Sequence, residues 1–244
     1  MSDRPLTARS TYIPIPEEQI DVWFADLDAA SHRNDTFEGL LSFDERNRAG
    51  KFHADVDRRR FIASRGILRT LLGRYLAIAP QSVTFSYGPN GKPALPGCEL
   101  HFNLSHSFGR ALFAFGSQSP LGVDLELVRT LPDLVQLGAS VFSPTEAKAF
   151  ATIDAREQPA SFFKCWTRKE ALIKALGTGL SYPLEQFSVS FDEPARLLSV
   201  EGDRTKLTSW RLHHLEPELG YFAAIATQQA EGRIVLHPFE LPPF

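Results

Sequence analysis

The sequence predicts an α+β protein in which two related halves each place a main helix on an antiparallel sheet. The first indication is a pair of long segments, residues 57–76 and 161–180, whose apolar side chains recur at helical spacing. The second is a set of short alternating or apolar segments, separated by turn residues, that is typical of strands. Helices combined with locally paired strands are characteristic of the α+β class.

The third indication is that the elements recur in the same order. Helix, strand and hairpin at residues 57–72, 82–87 and 109–115 are followed by the same series at residues 161–176, 187–191 and 220–226. This repetition predicts a pseudo-twofold duplication. The stretch at 116–120, Gly-Ser-Gln-Ser-Pro, is the best linker signal. We therefore expect an N-terminal half at residues 1–118 and a C-terminal half at residues 119–244.

In the first half, residues 57–76 form the expected main helix because Phe61, Ile67 and Leu71 share an apolar face and arginines surround its polar side. The Asn90-Gly91 pair predicts a tight turn. The other elements expected here are a strand at 19–27, a short helix at 42–48, a strand at 82–87, and strands at 101–107 and 111–115.

In the second half, an apolar strand at 121–126 comes first. Residues 143–146, Ser-Pro-Thr-Glu, are typical of a helix start with proline at the first position. The main helix follows at 161–180, with Gly177 and Gly179 as its stop signal. Beyond it we expect strands and turns, ending in a proline-rich tail at 237–244.

Composition excludes several classes of protein. The chain has 244 residues, of which 43% are hydrophobic and 23% charged, with a net charge of −3, so no overall basic excess suggests nucleic-acid binding. Its two cysteines have no metal-like spacing, which favours a reducing compartment. Residues 1–10 carry charges where a signal peptide needs an apolar core, and no segment is long and apolar enough for a membrane span. A cytoplasmic protein is expected.

Three carboxylates predict a metal site. Along the main helix Trp166, Glu170 and Lys174 are each four residues apart and lie in one row. Upstream, Asp124 and Glu126 are two apart in a strand and share a face, where they repel unless a cation or solvent intervenes. Oxygen ligands without cysteine or histidine suit Mg²⁺ or Mn²⁺, and magnesium often shares its ligands with substrate phosphates. Each pattern alone is common, and taken alone it is explained more often by an exposed strand face or a surface ion pair.

Positive charge suited to a phosphate-bearing substrate is spread along the chain. Lys92, Lys169 and Lys174 are candidates for phosphate contacts, as is the arginine-rich stretch at residues 46–69. That stretch is either a local anion site or a solvated helix face. His106, in a Ser-His-Ser turn, either donates to a phosphate or is simply exposed.

The order of four motifs along the chain favours a functional site over these ordinary explanations. The motifs are Gly91-Lys92-Pro93, Phe-Asn-Leu-Ser-His-Ser at 102–107, Gly-Val-Asp-Leu-Glu at 122–126 and Trp-Thr-Arg-Lys-Glu-Ala-Leu-Ile-Lys at 166–174. In this order and spacing they resemble the 4′-phosphopantetheinyl transferases of the Sfp (surfactin-synthetase-activating) type, in the branch with a WxxKEA motif. The resemblance extends from about residue 20 to about residue 226.

The resemblance implies a pseudo-twofold fold with coenzyme A bound between the halves. It also implies transfer of phosphopantetheine from coenzyme A to a serine of an acyl or peptidyl carrier protein, with release of adenosine 3′,5′-bisphosphate. By motif, the implied metal ligands are Asp124, Glu126 and Glu170, and the implied phosphate contacts are Lys92, Ser105 and His106. Arg48 and Arg60 match basic positions near the adenosine end. Leu125 stands where some relatives carry a third acid, so water is expected to complete the metal shell.

Transfer requires a deprotonated serine and a neutralised leaving phosphate. We expect Glu170 to remove the serine proton, directly or through a water, and Lys174 to stabilise or protonate the leaving phosphate. The carrier is expected to dock near residues 131–142 through Leu134, Leu137 and Val141, although these side chains could equally be core.

Carrier proteins are generally acidic, and Arg168 and Lys169 offer complementary charge. An internal pseudo-dimer makes a monomer the expected state.

Two other classes of function use the same residues. A Mg²⁺-dependent phosphohydrolase would cleave nucleotide diphosphates without a protein acceptor. A non-catalytic nucleic-acid module would use the arginine-rich helix, which the net charge and the lack of interleaved aromatic residues disfavour. The sequence does not specify whether the carrier serves fatty-acid, polyketide or nonribosomal-peptide synthesis.

Overall fold

The computed structural model describes residues 13–179, 182–200, 209–229 and 232–240. Residues 1–10, used above to argue against a signal peptide, and the last four residues of the expected tail lie outside this range. Helices and largely antiparallel sheets confirm the α+β class. The chain forms two compact units, one containing residues 27–84 and the other containing residues 16–26 and the chain from 85 onward. The duplication boundary at residue 118 stays a prediction.

The first unit is helical. Its helices are α1 (Leu27–Ala30), α2 (Asn34–Glu38), α3 (Phe43–Ala49) and α4 (Asp55–Leu76). The short helix expected at 42–48 is α3, and it begins at a capping box in which Ser42 and Glu45 bond each other's backbone amides. The main helix expected at 57–76 is α4.

Part of the polar side of α4 is neither of the two alternatives considered for the arginine-rich stretch, a local anion site or a solvated helix face. Arg65 and Arg69 are 7% and 1% exposed, and both pair with the buried carboxylate of Glu45, at 3.5 and 2.6 Å. These two arginines therefore belong to the core of the unit. On the same helix, a Cβ at Gly66 would overlap the ring of Phe37, so glycine is what lets α2 approach α4.

The strand expected at 82–87 is mostly absent. Residues Pro80–Ser82 form a 3₁₀ turn, and only Ser86–Tyr87 are extended and paired, with Pro93–Ala94. The guanidinium of Arg69 donates to the carbonyl oxygens of Pro80 and Val83, at 3.1 and 2.9 Å, and of these two only Val83 lies in the expected strand. That carbonyl is therefore already bonded to a side chain, and the strand prediction is wrong for residues 82–85.

The second unit contains the sheets. Its strands are β1 (Gln19–Asp26), β2 (Ser86–Tyr87), β3 (Pro93–Ala94), β4 (His101–Ser107), β5 (Arg110–Gly116), β6 (Leu121–Leu127), β7 (Phe187–Val189), β8 (Leu197–Val200), β9 (Arg211–Glu218), β10 (Tyr221–Thr227) and β11 (Arg233–Pro238). One sheet has the order β11-β1-β5-β4, with β1 parallel to β11 and antiparallel to β5. Another has the antiparallel order β6-β10-β9.

The helices of the second unit position the site. They are α5 (Leu134–Ala139), α6 (Pro144–Phe150) and α7 (Gln158–Leu176). The helix start expected at 143–146 is confirmed, with Ser143 and Glu146 forming a capping box. Helix α7 ends, as expected, at Gly177 in the left-handed conformation. It packs on β6 so closely that a Cβ at Gly122 would overlap the backbone of Ala171.

Among the described residues, no helix combines the length and apolar character needed to cross a membrane.

Candidate active site

A pocket of about 310 Å³ lies where β4, β6 and α7 meet. Its lining residues are Leu104, Ser105, His106, Asp124, Glu126, Trp166, Glu170 and Lys174. The helix row expected from the four-residue spacing, Trp166, Glu170 and Lys174, thus faces the two strand carboxylates across one cavity. Most of the residues that the sequence singled out are brought together here.

Side chains rather than backbone hydrogen bonds join β4 to β6, which are edge strands of different sheets. Asn103 Oδ1 accepts from the amide of Val123 at 2.8 Å, Ser105 Oγ donates to Asp124 Oδ1 at 2.9 Å, and Ser107 Oγ donates to Glu126 Oε2 at 2.8 Å. These β4 residues are two apart, so the pleat turns all three towards β6.

Sequence reasoning missed Asn103 and Ser107. The available signal was their period of two around Ser105, within the Phe-Asn-Leu-Ser-His-Ser motif. Ser107 also accepts from the amide of Leu127 at 3.2 Å, so it fixes both the backbone and the carboxylate at the end of β6. Ser107 is therefore part of the support for the site.

Lys174 pairs with a strand carboxylate rather than with Glu170 one turn before it. Its Nζ lies 2.6 Å from Asp124 Oδ1 and 3.0 Å from Ser105 Oγ. A surface Glu170–Lys174 pair, the ordinary alternative for this spacing, is therefore not what forms. One ammonium instead joins α7, β6 and β4.

The carboxyl of Glu170 is set apart from its neighbours. Burial raises its pKa to about 7, and the negative charges of Asp124 and Glu126 act in the same direction while Lys174 opposes them. Within the described residues its Oε1 is buried and has no hydrogen-bond partner. A carboxyl of this kind is half ionised near neutral pH, as a general base requires.

The pKa of Glu126 is also raised, mainly by burial and further by Asp124, whereas the hydrogen bond from Ser107 and the charge of Arg129 lower it. Arg129 lies 3.9 Å from Glu126 Oε2, a distance at which the attraction is weak.

The carboxylates suit a divalent cation, although they are not arranged around a single point. Among the residues described, no cluster of three acidic, histidine or cysteine groups converges on one point. However, Asp124 Oδ2 and Glu170 Oε1 are both buried without a hydrogen-bond partner, and both residues line the same pocket. Unsatisfied buried carboxylate oxygens are costly unless a cation or proton compensates them, and all-oxygen donors are what Mg²⁺ prefers.

Lys169 was predicted to contact the substrate, and this prediction is wrong. Its side chain is fully buried and forms a 2.7 Å ion pair with Glu146, and its Nζ donates to the carbonyls of Leu184 and Phe187 at 2.7 and 2.6 Å. The ammonium therefore has three partners in the core and none to spare.

Arg168 is likewise fully buried; it pairs with Glu193 and donates to the carbonyl of Ser190. Neither Arg168 nor Lys169 offers charge to an acidic partner.

Lys92 also has backbone partners. Its Nζ donates to the carbonyl oxygens of Leu121, Lys174 and Ala175, at 3.0, 2.7 and 3.3 Å. Burial lowers its pKa to about 8. Lys92 lines a smaller pocket of about 180 Å³, which shares Leu104 and Lys174 with the first. Its expected phosphate contact stays a prediction.

Arg48 and Arg60 lie in the helical unit. Arg60 forms a two-pronged ion pair with Asp28, with distances of 2.7 and 2.9 Å. Arg48 is exposed, with its guanidinium carbon 5.6 Å from the ring centre of Phe61. Contacts of either arginine with an adenosine end stay predictions.

Comparison with known proteins places both parts of the chain in one family. Residues 120–227 match the 4′-phosphopantetheinyl transferase superfamily, and residues 31–114 match the N-terminal region of 4′-phosphopantetheinyl transferases. The 4′-phosphopantetheinyl transferase HetI of Nostoc is 35% identical, covering 88% of this chain and 93% of its own length. The 4′-phosphopantetheinyl transferase Sfp of Bacillus subtilis is 31% identical, covering 73% of this chain and 78% of its own length.

Among solved structures, the holo-[acyl-carrier-protein] synthase of Thermotoga maritima overlaps 44% of this chain and 61% of its own, with a TM-score of 0.35 and 19% identity. The identity and coverage shared with HetI and the two family matches confirm the resemblance inferred from the four motifs. The chain belongs to the 4′-phosphopantetheinyl transferase family.

Proposed function

We propose that this enzyme transfers 4′-phosphopantetheine from coenzyme A to a serine of an acyl or peptidyl carrier protein and releases adenosine 3′,5′-bisphosphate. Transfer of phosphopantetheine from coenzyme A to carrier proteins is the reaction of its family. The observation that carries the proposal for this chain is the shared pocket of Asp124, Glu126, Glu170 and Lys174, where carboxylates and a cation face one cavity.

Asp124, Glu126 and Glu170 would hold a divalent metal, Mg²⁺ or Mn²⁺. The unpartnered buried oxygens of Asp124 and Glu170 support this assignment. The chemistry that such a metal supplies when bound is neutralisation of the charge on the diphosphate. Ser105 and Ser107 would hold two of the carboxylates in position through the hydrogen bonds described above.

Glu170 would act as the general base. In the reaction the serine oxygen forms a bond to the phosphorus next to the pantetheine, and the bond from that phosphorus to the bridging oxygen breaks. The serine proton needs an acceptor, and in the metal-free enzyme burial raises the pKa of Glu170 to about 7, so this carboxyl binds a proton more readily than an exposed glutamate does. Its burial is what raises that pKa, so the same feature that costs stability favours proton transfer.

Lys174 would stabilise the leaving phosphate. An ammonium has three protons, and the bonds to Asp124 and Ser105 use two of them. The remaining proton can serve a phosphate oxygen in the same pocket, where partial burial strengthens the interaction. His106, exposed on the wall of this pocket, would contact a further phosphate oxygen.

The test is the intact mass of a purified apo acyl carrier protein after incubation with this enzyme, coenzyme A and Mg²⁺. A gain of one phosphopantetheine, abolished by EDTA and by Glu170→Gln, is the expected result. Consumption of coenzyme A without a gain on several unrelated apo carriers would favour the phosphohydrolase alternative. The exposed-lysine variant Lys148→Met is the control, since its side chain lies outside the pocket.

The carrier would dock at residues 131–142, but through fewer side chains than expected. Val141 is 2% exposed and belongs to the core, and Leu134 packs against that core. Leu137, 41% exposed, is available to a partner. Since Arg168 and Lys169 are buried, the positive charge offered to an acidic carrier has to come from other residues.

A further inference from the structure

The turn between β2 and β3 bonds the C-terminal end of α7. As described above, Lys92 donates from its ammonium to the carbonyls of Lys174 and Ala175 in the last turn of that helix and to the carbonyl of Leu121 at the start of β6. Two residues earlier, Asn90 Nδ2 donates to the carbonyl of Gly177 at 2.9 Å. A short turn thus provides donors to both neighbouring elements.

The carbonyls involved are the ones a helix leaves open. The last four carbonyls of an α-helix have no amide partner within the helix, and a cation at this end also interacts favourably with the helix dipole. In α7 the amide of Gly177 bonds the carbonyl of Lys174, and Lys92 adds bonds to that carbonyl and to the next one. The turn therefore acts as a cap supplied from elsewhere in the chain.

The two elements that Lys92 bonds, α7 and β6, carry residues of the candidate active site. Helix α7 presents Glu170 and Lys174, and β6 presents Asp124 and Glu126. We propose that Lys92 is a positioning residue, which holds the last turn of α7 against the start of β6 and so sets the contact between Lys174 and Asp124. This role differs from the phosphate contact that the motif implies, and its catalytic part rests on the proposed function.

Two features agree with a positioning role. Three carbonyl partners match the three protons of an ammonium, so the hydrogen-bonding capacity of Lys92 is already used. The side chain is also only partly exposed to water, and this burial lowers its pKa.

The first test is hydrogen exchange of the free enzyme, without coenzyme A or carrier. In Lys92→Met we expect the amides of residues 170–177 to exchange about tenfold faster, because the end of the helix loses charge-assisted bonds. The control Lys148→Met, an exposed lysine in α6, should leave them unchanged. Unchanged exchange in Lys92→Met would overturn the proposal.

The second test separates turnover from binding, using coenzyme A and a purified apo acyl carrier protein. A positioning role predicts that Lys92→Met lowers kcat about tenfold and changes KM for coenzyme A less than about twofold. A phosphate contact instead predicts a raised KM with normal exchange in the free enzyme.

Asn90→Ala, which removes only the bond to Gly177, provides a milder variant should Lys92→Met fail to fold. In Asn90→Ala we expect a smaller decrease in kcat, again with little change in the KM for coenzyme A, and a smaller increase in exchange. An unaltered kcat together with unaltered exchange would contradict the proposed cap. Because exchange is measured without substrates, it tests the cap even if no carrier is ever modified, an outcome that would instead refute the proposed function.

Discussion

Lys174 Nζ lies 2.6 Å from Asp124 Oδ1, and the proposed function assigns the same carboxylate to a divalent metal. One carboxylate thus faces two cations. In the free enzyme the lysine pairs with one oxygen of Asp124, Oδ1, whereas Oδ2 has no hydrogen-bond partner, and a bound metal would share the carboxylate with the lysine. An ammonium and a metal ion held by one carboxylate would repel each other, so Lys174 would weaken metal binding while it supplies positive charge for the leaving phosphate.

Lys174→Met should therefore bind the metal more tightly while losing activity. Without the ammonium, Asp124 keeps its full negative charge for the metal, and we expect the Kd for Mn²⁺ to fall several-fold. The leaving phosphate loses its cation, so kcat should drop about a hundredfold or more. Calorimetric titration with Mn²⁺ and steady-state transfer assays measure the two quantities. Weaker metal binding than in the wild type would contradict the shared-carboxylate argument.

Ser107→Ala should weaken the metal site with little effect on coenzyme A binding. Glu126 loses the hydrogen bond that orients its carboxylate and opposes the rise in its pKa. Loss of such a supporting bond typically costs about tenfold in metal affinity. The measurement is the Mg²⁺ concentration for half-maximal activation, together with direct Mn²⁺ titration. Ser86→Ala removes an exposed hydroxyl in β2 and serves as the control. A raised KM for coenzyme A with normal metal activation would argue against this role of Ser107.

The metal-free enzyme should lose stability as pH rises through the titration of Glu170. Its pKa is raised from 4.5 when exposed to about 7 in the folded state, so between these values the folded state holds more protons than the unfolded state. The contribution of Glu170 is fully present below about pH 4.5 and is lost as pH rises towards 7.

Thermal unfolding in EDTA at several pH values checks this sign. Other groups titrate in the same range, so the quantity to compare is the difference in Tm between wild type and Glu170→Gln, which keeps the shape of the side chain but not its titration. Between pH 4.5 and 7 the Tm of the wild type should fall relative to that of Glu170→Gln. A difference independent of pH would mean that Glu170 ionises normally.

Leu137→Ser should raise the KM for an apo carrier protein several-fold and leave the KM for coenzyme A and the Tm unchanged. The side chain is exposed, so its removal costs the fold little, while a docking partner loses an apolar contact. Leu198→Ser, a leucine 48% exposed on β8, is the matched control. Equal effects of the two substitutions on the carrier KM would remove the case for docking at residues 131–142.

The sequence predicted what chain geometry determines locally. The row of Trp166, Glu170 and Lys174 follows from helical spacing, and the shared face of Asp124 and Glu126 follows from the strand pleat. The helix start expected at residues 143–146 is likewise encoded within four positions. These features survive in the structure because no distant contact is needed to form them.

The errors concern partners that are distant in sequence. Lys169 stands one residue before Glu170, about 100° around the helix. It is buried because α6 brings Glu146 to it and because residues 184–187 offer it two carbonyl oxygens. Similarly, in the strand expected at 82–87 the carbonyl of Val83 accepts a hydrogen bond from Arg69 of α4. The backbone partners of Lys92 lie 29 or more residues away in the sequence. No side-chain pattern predicts such a contact.

Gly122→Ala should disrupt the site from outside the pocket. A Cβ at this position would overlap the carbonyl oxygen of Ala171 and the amide nitrogen of Ala175, both in the backbone of α7, so the helix has to move away from β6. Overpacking against backbone of this kind typically costs about 1 to 3 kcal/mol. The movement also separates Lys174 from Asp124, so activity should fall more than the folded fraction does. Urea unfolding and transfer assays measure the two effects.

Gly50→Ala is the control for that substitution, because a Cβ there meets only ordinary contacts, at 3.6 Å from the carbonyl oxygen of Asn47 and 3.7 Å from that of Arg46. It should change the free energy of unfolding by less than about 0.5 kcal/mol. If Gly122→Ala behaves like this control in both stability and turnover, the close approach of α7 to β6 is not what sets the distance between the helix row and the strand carboxylates. If it loses turnover while remaining folded, the glycine of the Gly-Val-Asp-Leu-Glu motif acts through helix placement, because it has no side chain with which to contact substrate.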